Sequence, residues 1–169
     1  MNEKPILILG IGNKILSDDG IGIRLIEDLQ DYFKDSCLHF KTACAGGLEI
    51  VELMQDYEHV IILDAIKTKG GKPGKIYYFT LQDFKDSLHT SNFHDISFLI
   101  ALEFGKTSGM KVPEDIKILA IEIVEDMYFS ENFSNEIQIR YNFIKSKVRD
   151  FIQKQLKNNK VKRSESITV

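Results

Sequence analysis

Several common signals are scarce or missing in this sequence of 169 residues. It has only two cysteines, Cys37 and Cys44, so a disulfide framework is not expected and we predict a cytoplasmic protein. The net charge of −3 gives no sign of a nucleic-acid partner. The longest apolar runs are about six residues, far short of a membrane span, and no charged segment leads into a longer one. We therefore expect neither membrane insertion nor a signal peptide.

Several motifs that would identify an enzyme class are also absent. There is no Gly-x-Ser-x-Gly turn of a serine hydrolase and no complete Gly-x-x-x-x-Gly-Lys-Ser/Thr sequence of a phosphate-binding loop. The Cys₂His₂ and His-Glu-x-x-His spacings of tight zinc sites are missing as well. Any metal site in this chain must therefore be of a more open kind.

The residues that are present describe an ordinary globular domain, with 43% hydrophobic and 28% charged residues. Residues 1–156 are expected to form one α/β domain, and residues 157–169 a basic polar tail that is disordered. Apolar runs typical of strands alternate with stretches of helical spacing. The strands are predicted at 5–9, 38–43, 59–63, 75–80 and 116–123, and the helices at 19–33, 48–54, 94–104 and 135–156.

This order predicts an open, mostly parallel twisted sheet of about five strands with helices on both faces. The strand at 75–80 is expected to be antiparallel, because the turn at 69–74 is too short for a helical crossover. In such sheets the ligand site lies beyond the carboxyl ends of the strands.

The first strand ends in a turn, Gly10-Ile11-Gly12, that is typical of nucleotide-binding folds. However, position 15 holds Ile15 where a dinucleotide site needs a third glycine. Asp18 and Asp19 would also repel phosphate at the start of the following helix. A Rossmann-like nucleotide-dependent enzyme therefore remains only an alternative.

Three polar residues stand where strands end or helices begin. Ser17, Asp18 or Asp19 could cap the first helix, Asp64 could be a turn residue, and His94 could be a loop or cap residue. Alternatively, Asp19, Asp64 and His94 converge on one edge of the sheet, where two carboxylates and an imidazole suit a divalent transition ion. Such a site needs further ligands from water or from a partner. Either carboxylate could also act as a general base.

The chain resembles the hydrogenase maturation proteases, which process the large subunit of nickel–iron hydrogenases. The resemblance runs over about residues 5–150 and is most specific in the opening motif. It rests on these segments: Leu9-Gly10-Ile11-Gly12-Asn13, Leu16, Asp18-Asp19-Gly20, Gly22, Gly47-Leu48-Glu49, Ile62-Leu63-Asp64-Ala65, Pro73-Gly74, His94 and Val124-Glu125.

This resemblance implies that Asp19, Asp64 and His94 are the metal-binding and catalytic residues. It implies an endopeptidase that recognises nickel already inserted into the precursor of the large subunit and then removes a C-terminal extension. Nickel would be supplied by the substrate, and cadmium or zinc would substitute in vitro. We expect a monomer. A non-enzymatic nickel-binding chaperone that uses the same three residues is a second alternative.

The sequence departs from the family pattern at two places. The loop after the second strand often contains Asp-Gly-Gly-Thr in the family, whereas residues 42–47 here lack both the acid and the threonine. A proline often follows Val-Glu in the family, and Asp126 stands at that position. The first change puts the choice of hydrogenase substrate in question, and the second is expected to affect only the local turn.

Overall fold

Five strands lie in one sheet at the centre of the molecule. The computed structural model describes residues 5–44, 47–83 and 93–166. In chain order, the strands are β1 (Ile6–Ile11), β2 (Leu38–Ala43), β3 (His59–Ile66), β4 (Ile76–Thr80) and β5 (Asp115–Glu122). Across the sheet their order is β2-β1-β3-β5-β4, with β4 antiparallel to β5 and the other neighbours parallel. The predicted mostly parallel sheet and its antiparallel strand are therefore confirmed.

Helices cover both faces of this sheet. The described residues form a 3₁₀ helix (Ser17–Gly20) and the α-helices α1 (Ile21–Gln30), α2 (Leu48–Met54), α3 (Phe93–Thr107) and α4 (Asn135–Ser166). Helices α1 and α4 pack on one face, where Leu25 and Ile144 meet Ile61 of β3. Helices α2 and α3 pack on the other face, around Leu9 and Ile62. In the part of the chain that is described, no helix is long and apolar enough to cross a membrane.

The central strands are apolar without alternation because both of their faces are covered. Residues 6–10 of β1 and 60–63 of β3 are all buried, as expected for strands that have parallel neighbours on both sides and helices above and below. Helix α1 is instead amphipathic, with a buried stripe that includes Ile21, Leu25 and Leu29. The switch from a continuous to a periodic apolar pattern therefore marks the passage from strand to helix.

Two glycines of the opening motif allow α1 to lie unusually close to the sheet. A Cβ atom on Gly10 would collide with the carbonyl oxygen of Gly22. A Cβ atom on Gly22 would collide with the carbonyl oxygens of Ile11 and Leu63. Close backbone packing of helix on strand therefore explains these glycines without any bound phosphate.

The structure corrects several expected boundaries. The first helix was expected to start at Asp19, but a 3₁₀ turn occupies 17–20 and the α-helix begins at Ile21. Strand β3 continues past Leu63 because its pairing with β5 extends to Ile66. Helix α4 continues past 156 to Ser166, so the tail predicted to be disordered is helical over 157–166. No glycine or proline stands in that segment to stop the helix.

Candidate functional site

The candidate site lies at the carboxyl edge of the sheet, where β1 leads into the 3₁₀ helix. Gly12 has a φ of 138°, which L side chains rarely adopt, and its amide donates to the carbonyl oxygen of Ala43 at the end of β2. A Cβ atom on Gly12 would collide with the backbone carbonyl oxygen of Asp19. Glycine at this position therefore lets the 3₁₀ helix fold back over the end of β1 and brings Asp19 to the sheet edge.

The carboxylate of Asp19 is half-buried and turns toward the loop after β1. Its Oδ2 atom accepts a hydrogen bond from the backbone amide of Asn13, with an N–O distance of 2.6 Å. A nucleotide phosphate would need amides of this glycine turn for its own oxygens. Because the Asp19 side chain already takes one of these amides, the geometry argues against the nucleotide-binding alternative.

Asp64 lies in the last part of β3, at the same edge of the sheet. It pairs with Ala120 of β5 and is half-buried, and its Oδ1 atom accepts a hydrogen bond of 2.8 Å from the amide of Ala65. Side chains alternate along a strand, so Asp64 falls on the same face as Val60 and Ile62. Helices α2 and α3 cover that face. We therefore find Asp64 within the strand rather than in a turn after it.

His94 is the second residue of α3, the helix that packs on the face to which Asp64 belongs. The backbone position is thus at the start of a helix, as predicted. The side chain of His94 lies outside the described residues, and its role as a third ligand stays a prediction. Among the side chains that are described, no three His, Cys, Asp or Glu groups converge as a metal site would require.

Asp18 has a different role from its neighbour. It is fully buried, and its side chain does not cap the 3₁₀ helix that contains it. Its Oδ2 atom accepts hydrogen bonds from the amides of Val124 and Glu125 at 3.2 and 3.0 Å. The amide and the hydroxyl of Ser134 donate to Oδ1 and Oδ2, both at 2.7 Å. Asp18 thus ties the first loop to the segment after β5 and to the start of α4, and the capping interpretation is wrong for it.

The segment after β5 also belongs to this edge of the sheet, although sequence reasoning assigned it no part in the site. Lys67, which follows β3, forms an ion pair of 2.8 Å with Asp126. The hydrogen bond to Asp126 raises the pKa of Lys67 above its usual value, which keeps it protonated. The complementary charges of these two residues were visible in the sequence, but their contact depends on the sheet order.

A cleft of about 530 Å³ lies at the opposite, amino edge of the sheet, between the strand starts and residues 154–159 of α4. His59 and Lys117 both contact Asp115 there, with Nδ1–Oδ2 and Nζ–Oδ1 distances of 3.1 and 2.6 Å. Burial raises the pKa of Asp115, but these two hydrogen bonds outweigh it and hold the pKa below its usual value. The cleft is therefore separate from Asp19 and Asp64.

Comparison with known proteins shows to which family the chain belongs. A family model described as hydrogenase maturation protease matches residues 23–150, a stretch that includes Asp64 and His94 and begins after Asp19. The chain belongs to the hydrogenase maturation protease family. The family suggested by the opening motif is therefore confirmed by a match that lies outside that motif.

Individual members of the hydrogenase maturation protease family show the extent of the likeness. The chain is 39% identical over 70 residues to the hydrogenase 2 maturation protease of Escherichia coli (strain K12), which covers 41% of this chain and 43% of that protein. It is 30% identical over 114 residues to the hydrogenase expression/formation protein HoxM of Azotobacter vinelandii, covering 60% of this chain and 52% of that protein. The chain thus spans about half the length of these curated relatives.

The fold agrees over a longer stretch. The structure of the hydrogenase maturating endopeptidase HybD from E. coli superposes with a TM-score of 0.74 and 21% sequence identity. The superposition covers 89% of this chain and 93% of that chain. At this level of identity the comparison supports the fold alone, and it agrees with the single α/β sheet described above.

Proposed function

We propose that this protein is an endopeptidase that removes a C-terminal extension from the nickel-containing precursor of a nickel–iron hydrogenase large subunit. One observation carries the proposal. In a chain of this family, Asp19 and Asp64 both lie at the carboxyl edge of neighbouring parallel strands, where α/β sheets bind their ligands.

The two carboxylates suit a metal ion that arrives with the substrate. A backbone amide holds one oxygen of each carboxylate, so neither group has to be ordered from a fully mobile state on binding. Oxygen ligands together with the imidazole of His94 are suitable for nickel, and cadmium or zinc can take the same ligands in vitro. With three ligands from this chain, the precursor would supply the rest.

Peptide hydrolysis needs a base as well as recognition of the substrate. We infer that one of the two carboxylates takes a proton from the attacking water, whose oxygen adds to the scissile carbonyl carbon. The C–N bond then breaks and the leaving amine receives a proton. Hydrolysis waits for nickel, because a precursor without the metal lacks the metal–ligand contacts and binds to the protein less tightly.

The proposal also places the protein in the cytoplasm, acting as a monomer. The small number of cysteines, Cys37 and Cys44, is typical of proteins from a reducing compartment. The precursor is the expected protein partner, and neither nucleic acid nor a membrane is required.

The decisive experiment incubates the protein with nickel-loaded and nickel-free precursor and measures the mass of the precursor. We expect loss of the extension only when nickel is present. The variant His94→Ala should abolish cleavage while circular dichroism shows an unchanged fold. His59→Ala, the same change at the opposite edge of the sheet, is the matched control and should cleave normally.

Two outcomes would contradict the proposal. If the wild-type protein binds the nickel-loaded precursor and leaves its C-terminus intact, the protein is a nickel chaperone instead. If His94→Ala cleaves as well as the wild type, His94 does not belong to the site.

A further inference from the structure

Three consecutive bulky side chains after β5 point into solvent. The exposed fractions of Met127, Tyr128 and Phe129 are 81%, 68% and 75%. Single exposed apolar residues are normal on protein surfaces, whereas a contiguous patch of large ones is typical of an interaction site. These three residues are called the apolar loop below.

The apolar loop is held in place rather than left without contacts. The carboxylate of Glu125 accepts hydrogen bonds from the amides of Met127 and Tyr128, at 2.8 and 3.0 Å. These two bonds also lower the pKa of Glu125, so the carboxylate stays charged. On the other side of the loop, the backbone amide of Ser130 donates a hydrogen bond to the carbonyl oxygen of Ile15, with an N–O distance of 3.0 Å. The backbone therefore presents the three side chains outward in a defined arrangement.

Both ends of the apolar loop are attached to the segment that carries Asp19. Glu125 exchanges hydrogen bonds with Asp18, since its amide donates to the Asp18 carboxylate and its carbonyl accepts from the Asp18 amide at 3.1 Å. The carbonyl oxygen of Ser130 accepts from the amide of Ser17 at 2.8 Å. The ion pair of Asp126 with Lys67 adds a contact to the residue that directly follows β3, the strand that carries Asp64. The apolar loop is thus continuous with the candidate site.

The charges around the apolar loop restrict its partner further. Three acids, Glu125, Asp126 and Glu131, flank the apolar loop. Two cations also lie there, since Lys67 pairs with Asp126 and Arg24 donates to the backbone carbonyl oxygen of Glu131. A partner that covers the loop must bury apolar surface next to this acidic rim. An apolar segment flanked by basic residues meets both requirements.

We propose that Met127, Tyr128 and Phe129 are a docking surface for the precursor of the hydrogenase large subunit, which contacts them through an apolar segment flanked by basic residues. This inference rests on the proposed function and names the surface that holds the substrate beside Asp19 and Asp64. Because hydrogen bonds already order the loop backbone, docking does not have to order it again.

The test uses the full-length protein and purified nickel-loaded precursor. The double variant Met127→Gln/Phe129→Gln removes two apolar side chains and keeps the backbone amides that bind Glu125. The matched control is Ile139→Gln/Phe143→Gln, which replaces two apolar side chains of α4 that are 71% and 61% exposed. We expect the loop variant to raise the Kd for the precursor by about tenfold or more and to raise KM for cleavage. The control should bind and cleave like the wild type, and both variants should melt at the wild-type temperature.

The alternatives give distinguishable results. If the wild type cleaves the precursor and the loop variant binds it equally well, the docking surface is wrong and the proposed function stands. If the wild type neither binds nor cleaves the precursor, both proposals fall. A wild-type dimer in sedimentation that becomes a monomer in the loop variant would assign the patch to a second copy of this chain instead. If the affinity for the precursor does not fall as the ionic strength rises, the claim that basic residues of the precursor contact this surface is wrong.

Discussion

The neighbouring acids Asp18 and Asp19 provide a sharp test of the structure, because the same substitution should lower stability at Asp18 and metal affinity at Asp19. Asp18 is fully buried and accepts hydrogen bonds from the amides of Val124, Glu125 and Ser134 and from the Ser134 hydroxyl. In Asp18→Asn, one oxygen becomes an NH₂ group. That group must face an N–H donor, since donors surround both oxygens.

The magnitude follows from these contacts. A hydrogen bond to a charged group contributes about 1.5–3 kcal/mol, and a neutral one about 0.5–1.5 kcal/mol. Asp18→Asn loses one such bond and weakens the others, while removal of a buried charge offsets part of the loss. We expect the free energy of unfolding to fall by about 3 kcal/mol. For a chain of this length, the melting temperature should drop by roughly 6–12 °C.

Asp19→Asn should behave differently. Its carboxylate is half-buried and accepts the amide of Asn13, a bond that an amide oxygen can also accept. The free energy of unfolding should therefore change by less than about 1 kcal/mol. Affinity for nickel or cadmium should fall, because a neutral amide oxygen is a poorer ligand for a divalent ion than a carboxylate.

Urea denaturation followed by circular dichroism measures the first effect, and calorimetric titration with nickel or cadmium measures the second. Equal losses of stability in the two variants would refute the division of roles. So would an Asp18→Asn variant that is as stable as the wild type. Loss of metal affinity in Asp18→Asn at a temperature where it remains folded would show that the wrong acid has been assigned to the metal.

Four further predictions concern other parts of the fold. Gly22→Ala should prevent folding or cost several kcal/mol, because its Cβ would collide with backbone oxygens of β1 and β3. In Gly70→Ala the new Cβ meets no atom within 4 Å and only the positive φ is strained, so melting should show a loss of about 1 kcal/mol. Asp115 has a lowered folded pKa, so its contribution to stability is present at neutral pH and lost as the pH falls below about 4; Asp115→Asn should flatten acid denaturation there. Truncation after Lys157 should leave cleavage unchanged, since this end of α4 lies at the amino edge of the sheet, opposite to Asp19; a loss of activity at equal stability would contradict that placement.

Local patterns were sufficient to predict the sheet. Continuous apolar runs predicted the buried strands β1 and β3, and the short turn before β4 predicted its antiparallel direction. Helix ends were less predictable, because α4 continues through a polar segment that contains no residue to stop it. The edge at which Asp19 and Asp64 lie followed from topology, since parallel strands bring their carboxyl ends together.

The role of Asp18 could not be predicted from its surroundings in the sequence. Its partners Val124, Glu125 and Ser134 lie 106 to 116 positions further along the chain. Capping is the common role of an acid at a helix start, and nothing local distinguished Asp18 from that role. The apolar loop was missed for a related reason, because a short run of bulky residues after a strand is equally typical of a buried segment.

The different orientations of Asp18 and Asp19 follow from the helix type that contains them. A 3₁₀ helix has about three residues per turn, so adjacent side chains diverge by about 120°. When Asp18 points inward to the segment after β5, Asp19 must therefore point away from it, and it reaches the amide of Asn13 at the sheet edge. The two adjacent acids therefore have different roles in the same turn. The buried one holds the turn and the apolar loop together, and its neighbour is left at the edge beside the strand that carries Asp64.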